Sequence, residues 1–451
     1  MEKASLFDRF NNWIKRSVTI KLFSIGFLIL ILLIPTAMLQ SLIRERQDVR
    51  DSAIEEVSGK WGGKQIIGGP IITVPYLIQL KDKNGNIETD RRYAHFLPDL
   101  LNISGSVMPE KRTRGIYVVV LYNTLLHVSG KFSVPDFKET GVGESSFLPE
   151  EAFVSIGIPD LKGVNENVVM KLGESSLTFG PGIPNHDILV SGISVKCPLS
   201  KVAGQDFSFD LNLNGSAHLS FIPFGKETTV KLKSAWGSPG FEGSFLPDER
   251  TVSDDGFTAS WKVLQLNRNY PQQGLGSFIG NDDGDNYKMD NDAFSSFGVK
   301  LLLPVDEYQK TTRSVKYCLM LIVITFLTFF FVEVLNKRRI HPIQYLLVGF
   351  AVCLFYVLLL SISEQLSFGR AYLIGSVAII SLISFYAKHI FRNGKLTLIF
   401  SGLLTLLYGF FYSLLQLEDY ALLLGSIGLF IILATIMYLT RKVDWYGEEA
   451  G

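Results

Sequence analysis

The chain has 451 residues, more than one hydrophobic core normally organises, so at least two physically distinct regions are expected. Charged residues make up 19% of it, against about 25% in soluble domains, and mean hydropathy is +0.25, which excludes an ordinary water-soluble fold and leaves apolar surface to face lipid. Lysine plus arginine and aspartate plus glutamate balance at 43 each, so no bulk field draws in nucleic acid or acidic substrates.

Residues 1–21 read as a cytoplasmic amphipathic segment. Within SLFDRFNNWIKR, residues Leu6, Phe7, Phe10, Trp13 and Ile14 share one helical face, Ser5 and Asp8 have capping-box spacing, and the segment is expected along the inner leaflet. The uncharged run between Lys21 and Arg44 reaches about 33 Å as a helix and crosses a hydrocarbon core of roughly 30 Å. It is too long for a signal peptide and no small-x-small site follows it, so residues 22–43 are expected to stay as the first span. Apolar or long side chains then recur at helical spacing from Leu39 to Val57, predicting a stalk that ends near Gly59.

Beyond Trp61 the pattern turns to period two and β-branched residues, beginning with QIIGGPIITVPYLIQL. Alternation is clearest at Phe207, Phe209, Leu211, Leu213, at Leu219 and Phe221, at Val230 and Leu232, and at Phe257, Ala259, Trp261, Val263. Turn signals stand at Asn84-Gly85, Asn214-Gly215, Pro239-Gly240 and Asp255-Gly256. A mostly antiparallel sandwich or large twisted sheet is expected, in two lobes divided near residues 180–200. The acidic stretch 281–292 is expected as a solvated loop, because calcium-loop spacing would put Ile279 at the first ligand position.

Five further apolar runs follow: Tyr317 to Leu335, Ile343 to Ser363, Ala371 to Ala387, Leu396 to Leu417 and Tyr420 to Thr440. The fold class is thus a membrane α-helical bundle of six spans plus a large, mostly antiparallel β domain, α+β overall. Its parts are residues 1–21, 22–43, a stalk and β-rich domain over 44–315, a five-helix bundle over 316–440, and a tail over 441–451. Basic residues cluster on alternate loops, at Lys3, Arg9, Lys15, Arg16, Lys21, at Lys337, Arg338, Arg339, at Lys388, Arg392, Lys395 and at Arg441, Lys442, whereas the short opposite loops carry only Arg370. Basic loops stay cytoplasmic, which puts both termini inside and residues 44–315 outside.

Glu333 sits one turn inside its span and four residues before Lys337. An anchoring pair with Lys337 is the simpler reading, a proton or ion site the sharper one. Cys197, Cys318 and Cys353 are too scattered for a disulfide framework; Cys197 reads as a buried thiol, with a regulatory thiol as the competing reading. The chain has no G-x-S-x-G elbow, no H-E-x-x-H pair among its six histidines, no P-loop and no dinucleotide fingerprint. No catalytic residue, metal or cofactor is therefore indicated.

Five ordered stretches carry a resemblance: GGPIITVPY at 68–76, RTRGIYVVVLYN at 112–123, GSAHLSFIPFGKETTVKLKSAWGSPGFEGSFLP at 215–247, FGVKLLLPVDEYQKTTRSVKY at 297–317 and RIHPIQYLLVGFAVCLFYVLLLSISEQLSFGRAY at 339–372. They are similar to the CreD family of bacterial inner-membrane proteins over nearly the whole chain. The resemblance implies a Gram-negative inner membrane, a large periplasmic domain, a link to cell-envelope integrity and control by an envelope-responsive two-component system. It implies no catalytic site.

Within those stretches Arg112 and Arg114 read as solvated edge charges, and Arg339 and His341 as topology anchors at the cytoplasmic start of the third span. Glu364 and Arg370 flank the next external turn. They read as an ion pair closing a short loop, with contact to the β domain or a lipid headgroup, and transport chemistry, as alternatives. The expected function is non-enzymatic support of the envelope through the β domain. A transporter or lipid-handling protein and a membrane-bound hydrolase are the alternatives. Expected partners are membrane lipid and periplasmic or envelope components, with no nucleic acid and no small-molecule ligand named.

Overall fold

The structure, a computed structural model, describes residues 18–81, 87–279, 295–303, 307–335, 340–417 and 420–441. The N-terminal amphipathic segment, the Asn84-Gly85 turn, the acidic stretch 281–292, the Lys337 to Arg339 cluster and the tail beyond 441 lie outside the described residues. The chain divides into two compact units, Met1–Val49 with Val305–Gly451, and Arg50–Pro304.

Helix α1 (Val18–Trp61) contains the first apolar run and continues into the expected stalk, ending two residues past Gly59. In its apolar half Ile25, Leu28, Leu32, Thr36, Leu39 and Ile43 are buried at i+3 and i+4 spacing, while Phe23, Phe27, Leu30, Ile34 and Met38 are exposed. One stripe packs on protein and the remaining surface is as oily as hydrocarbon demands.

The second unit holds β1 (Gln65–Lys81), β2 (Ile87–Phe96), β3 (Pro98–Arg114), β4 (Tyr117–Phe132), β5 (Phe153–Gly157), β6 (Val169–Leu172), β7 (Ser175–Thr178), β8 (Gly180–Pro181) and β9 (Gly192–Lys196). After the single turn α2 (Leu199–Val202) come β10 (Asp206–Ser216), β11 (His218–Phe221), β12 (Glu227–Ser234), β13 (Pro239–Gly243), β14 (Glu249–Ser253), β15 (Gly256–Leu264), β16 (Gln273–Leu275) and β17 (Phe297–Leu301). One sheet runs β13-β17-β11-β1-β5-β9-β8, with β2 also on β1 and β16 on β2; the other runs β14-β15-β12-β3-β4-β10-β6-β7. Among the described strands all pairings are antiparallel except β1 with β11 and β3 with β12, so both sheets are mixed.

Each alternating set faces one core that draws on both sheets. Trp261 of β15 meets Phe297 of β17 at 5.7 Å between ring centroids. Both sheets take strands from before and after residue 180, so the expected division into two lobes is replaced by a single unit. Two expected turns are also corrected. Asn214-Gly215 lies inside β10, where Gly215 leaves room for the Tyr122 ring, and the chain changes sheets at Ala217, whose φ is 57°. Pro239-Gly240 opens β13. The turn before Gly256 is the expected hairpin, joining β14 to β15.

The helical unit continues with α3 (Glu307–Lys316), α4 (Cys318–Leu335), α5 (Pro342–Ser363), α6 (Phe368–Phe391), α7 (Gly394–Gln416) and α8 (Ala421–Thr440). Small residues let these helices approach: a Cβ on Gly349 of α5 would stand 2.2 Å from the Leu32 side chain of α1. Among the described residues four helices are long and apolar enough to cross a membrane, and five if α3 and α4, bent by 44° at Tyr317, make one span. Within α8, Leu422–Tyr438 is a shorter apolar helix.

Candidate functional site

In the helical unit the side chain that most needs a partner is Glu333, at 3% exposure in an apolar helix. Lys21 Nζ of α1 donates to its Oε1 at 2.6 Å, Tyr345 Oη of α5 to its Oε2 at 2.9 Å, and the Ile340 backbone N–H to Oε1 at 3.2 Å. Three donors replace the water that a carboxylate loses on burial. The tie joins α1, α4 and α5. The expected partner Lys337 is outside the described residues, as is Arg339.

His341 is the N-cap of α5. Its Nδ1 accepts from the Ile343 N–H at 3.3 Å, the Gln344 side chain accepts from the His341 N–H at 3.0 Å, and Pro342 fills the first turn. At the other end of α5, Glu364 is the C-cap and lies 3.8 Å from Arg46 Nε of α1. Arg370 is exposed, and among the described residues the expected Glu364–Arg370 ion pair does not form. Glu364 stands beside Arg46 of α1 instead, and Arg370 lies in the first turn of α6.

In the β unit Arg112 and Arg114 lie on the stretch of β3 beyond Val107, where β12 no longer accompanies the strand. Both are exposed on this edge, and each also has partners. The Arg112 guanidinium lies 4.4 Å from the Trp61 ring centroid and donates to Glu110 at 3.0 Å. Arg114 Nη2 donates to both oxygens of Glu56, at 3.1 and 3.0 Å, and Lys60 donates to the same carboxylate at 2.7 Å. The Lys60 hydrogen bond, then the Arg114 and Lys60 charges, hold the Glu56 carboxyl below its ordinary pKa. Trp61 Nε1 also donates to the Tyr122 carbonyl at 3.2 Å. The last turns of α1 are thereby gripped by the β3–β4 hairpin.

Two more clusters escaped sequence reasoning. On the face of the second sheet away from the core, one transverse register row reads Glu249, Ser260, Lys231, Ser104, His127, Asp210. It crosses a trough of about 710 Å3 whose floor has only short side chains at Ser104, Gly105 and Ser106. His127 Nδ1 lies 2.8 Å from Asp210 Oδ1. In the first sheet His95 bridges Thr73 Oγ1, 3.0 Å from Nδ1, and Asp187 Oδ2, 3.2 Å from Nε2. Burial raises the Asp187 pKa, but hydrogen bonds from His95 and Asn185 and the charges of His95 and His186 outweigh it and hold the group low. Hydroxyl, imidazole and carboxylate stand in the order of a nucleophile relay. Thr73 and His95 are each only 3% exposed, however, so the arrangement fastens the Asp187 segment to the sheet instead of meeting a substrate.

His218, at the start of β11, lies 3.4 Å from Glu242. Burial, then the Lys300 and Lys64 charges, push its pKa down to about 4 against the pull of Glu242.

The family model for inner membrane protein CreD matches residues 17–446 of the chain. The chain belongs to the CreD family. It is 32% identical over 437 residues to the inner membrane protein CreD of Escherichia coli (strain K12), covering 94% of this chain and 93% of that one. The match embraces both units, so the apolar helices and the two-sheet unit alike belong to the family's architecture. A CreD-family chain is an inner-membrane, envelope-associated protein, and that description names no catalytic activity. In this CreD-family chain the connected features join Lys21 to Glu333, Arg46 to Glu364, and the arginine pair to the end of α1. A lone acid in an apolar run demands a cation, which is the signal that would have pointed to Lys21. No comparable signal in the sequence marks Trp61 or Asp187.

Proposed function

We propose that this protein supports cell-envelope integrity by a non-enzymatic binding or structural role of its two-sheet unit. On this reading the unit and its stalk, residues 44–315, are periplasmic, both termini are cytoplasmic, and six spans anchor the chain in the inner membrane. The observation that carries the reading is that a large folded unit is inserted between the first apolar helix and the others, so it is tethered at both ends. The basic loops on alternate sides support the orientation. The trough across Ser104, His127 and Lys231 is the surface offered to an envelope component, because its floor of short hydroxyls leaves room between charged walls. Deleting the gene and exposing cells to membrane-active and cell-wall-active agents tests the proposal. Loss of tolerance that returns with the intact gene but not with a variant altered at Lys231 and His127 is the expected result; unchanged tolerance across both classes of agent overturns it.

A further inference from the structure

Another cavity in the β unit, of about 680 Å3, shares no wall residue with the trough and falls in the range that small-molecule sites occupy, about 300 to 1,000 Å3. Its walls include Asp99 of β3, Glu139, Lys226, Gln272 and the whole of β16. Among the described residues β16 pairs with β2 alone, so its second edge is open. Asp99 is half-buried, and the Lys226 N–H donates to the Pro98 carbonyl beside it at 3.0 Å. Yet among the described residues neither the Asp99 carboxylate nor the Lys226 ammonium has a hydrogen-bond or ion-pair partner. The Glu139 carboxylate accepts from Gln273 Nε2 at 3.0 Å, which fixes a second acid beside β16. Behind Gln272 stands Arg268, 7% exposed, whose guanidinium donates to the Gln272 side chain and, at 2.8 Å, to the Tyr270 carbonyl. Among the described residues Arg268 meets no carboxylate, and its Nε has no acceptor.

An ammonium and a carboxylate that line one cavity without pairing complement a ligand that carries both signs. A buried guanidinium lacking an anion strengthens the pull on the ligand's negative end. An open strand edge offers backbone N–H and C=O groups, which an extended peptide satisfies and other zwitterions do not. We propose that this cavity binds a short peptide with free termini by strand addition to β16. The peptide's backbone pairs with the open edge, its terminal ammonium meets Asp99 and Glu139, and its terminal carboxylate meets Lys226 with the Arg268 charge behind it. The three residues of β16 span about 10 Å, the length of an extended tripeptide.

The test is calorimetric titration of the full chain in lipid nanodiscs with trialanine, N-acetyl-trialanine, trialanine amide and trialanine methylated on its central nitrogen. Trialanine should bind at one site per chain, and each blocked or methylated form should bind about five- to tenfold more weakly. Lys226→Met should lower the affinity for trialanine by a similar factor and erase its advantage over the amide. Asp99→Asn should erase its advantage over the acetylated form. Both variants alter side chains with no partner among the described residues, so their melting temperatures should match that of the parent chain. Absence of binding at millimolar trialanine overturns the proposal. Equal affinity for all four peptides overturns it as well, and so does trialanine binding that neither variant changes.

Discussion

Lys21 and Glu333 are 312 positions apart in the chain, yet the lysine nitrogen stands 2.6 Å from the glutamate oxygen. The contact ties the start of the first apolar helix to the end of α4, with Tyr345 completing the carboxylate's partners. Removing Glu333 leaves Lys21 and Tyr345 without their acceptor at the helix interface. Glu333→Ala should therefore destabilise the helical unit by about 2–4 kcal/mol, read by unfolding in mixed micelles. Glu333→Gln, which still accepts from Tyr345, should cost less. A double-mutant cycle with Lys21→Ala should give a coupling of about 1 kcal/mol or more, and strictly additive losses would show that the contact carries no energy.

The grip of Arg112 on Trp61 makes a separate prediction in the β unit. Arg112→Ala removes a cation from an aromatic face, an interaction worth about 0.5–1 kcal/mol at a partly exposed site. Limited proteolysis should then cut sooner between Gly59 and Lys64, and Arg112→Lys should restore part of the protection. Cleavage at the unmodified rate in Arg112→Ala would mean that the hairpin does not hold the helix end.

The low pKa of His218, about 4, makes stability depend on pH. The unfolded chain binds this proton near pH 6.5 while the folded one resists it, so the stabilisation is complete above pH 6.5 and drains away as pH falls toward 4. After allowance for partial exposure the effect should be of order 1–2 kcal/mol. Melting curves at pH 7.5 and pH 4.5 should show a smaller loss for His218→Gln than for the parent chain. Equal losses would remove His218 from the account.

Trp261 tests the core. Its ring is buried against Phe297 and Phe241, and among the described residues its Nε1 has no acceptor. Trp261→Ala should cost about 3–5 kcal/mol through lost burial and a cavity. Trp261→Phe gives up ring volume but also discards an unsatisfied donor, so it should cost far less. Urea midpoints for the two variants decide; an equal penalty would indicate that the indole nitrogen is satisfied in solution.

How much of this was legible in the sequence depends on range. The alternation at Phe207, Phe209, Leu211 and Leu213 exposes a buried sheet face because side chains alternate by geometry alone. The buried stripe through Leu32 and Leu39 follows equally from local periodicity. The parallel pairings of β1 with β11 and β3 with β12 leave no local trace, since their partners lie more than a hundred residues away. Asn214-Gly215 shows the converse error: a dipeptide suited to a hairpin serves in β10 because Gly215 makes room for Tyr122, and the chain turns at Ala217. Glu333 was visible as a charge in need of a partner, but Lys21 was hidden by distance.

The account rests on the β unit lying outside the inner membrane. Lys201, exposed on α2, provides the handle: Lys201→Cys in a chain whose three native cysteines are serine, treated in intact spheroplasts with a membrane-impermeant maleimide. Labelling before the membrane is opened is the predicted result. Labelling that appears only after the spheroplasts are lysed would place residues 44–315 in the cytoplasm and contradict the account.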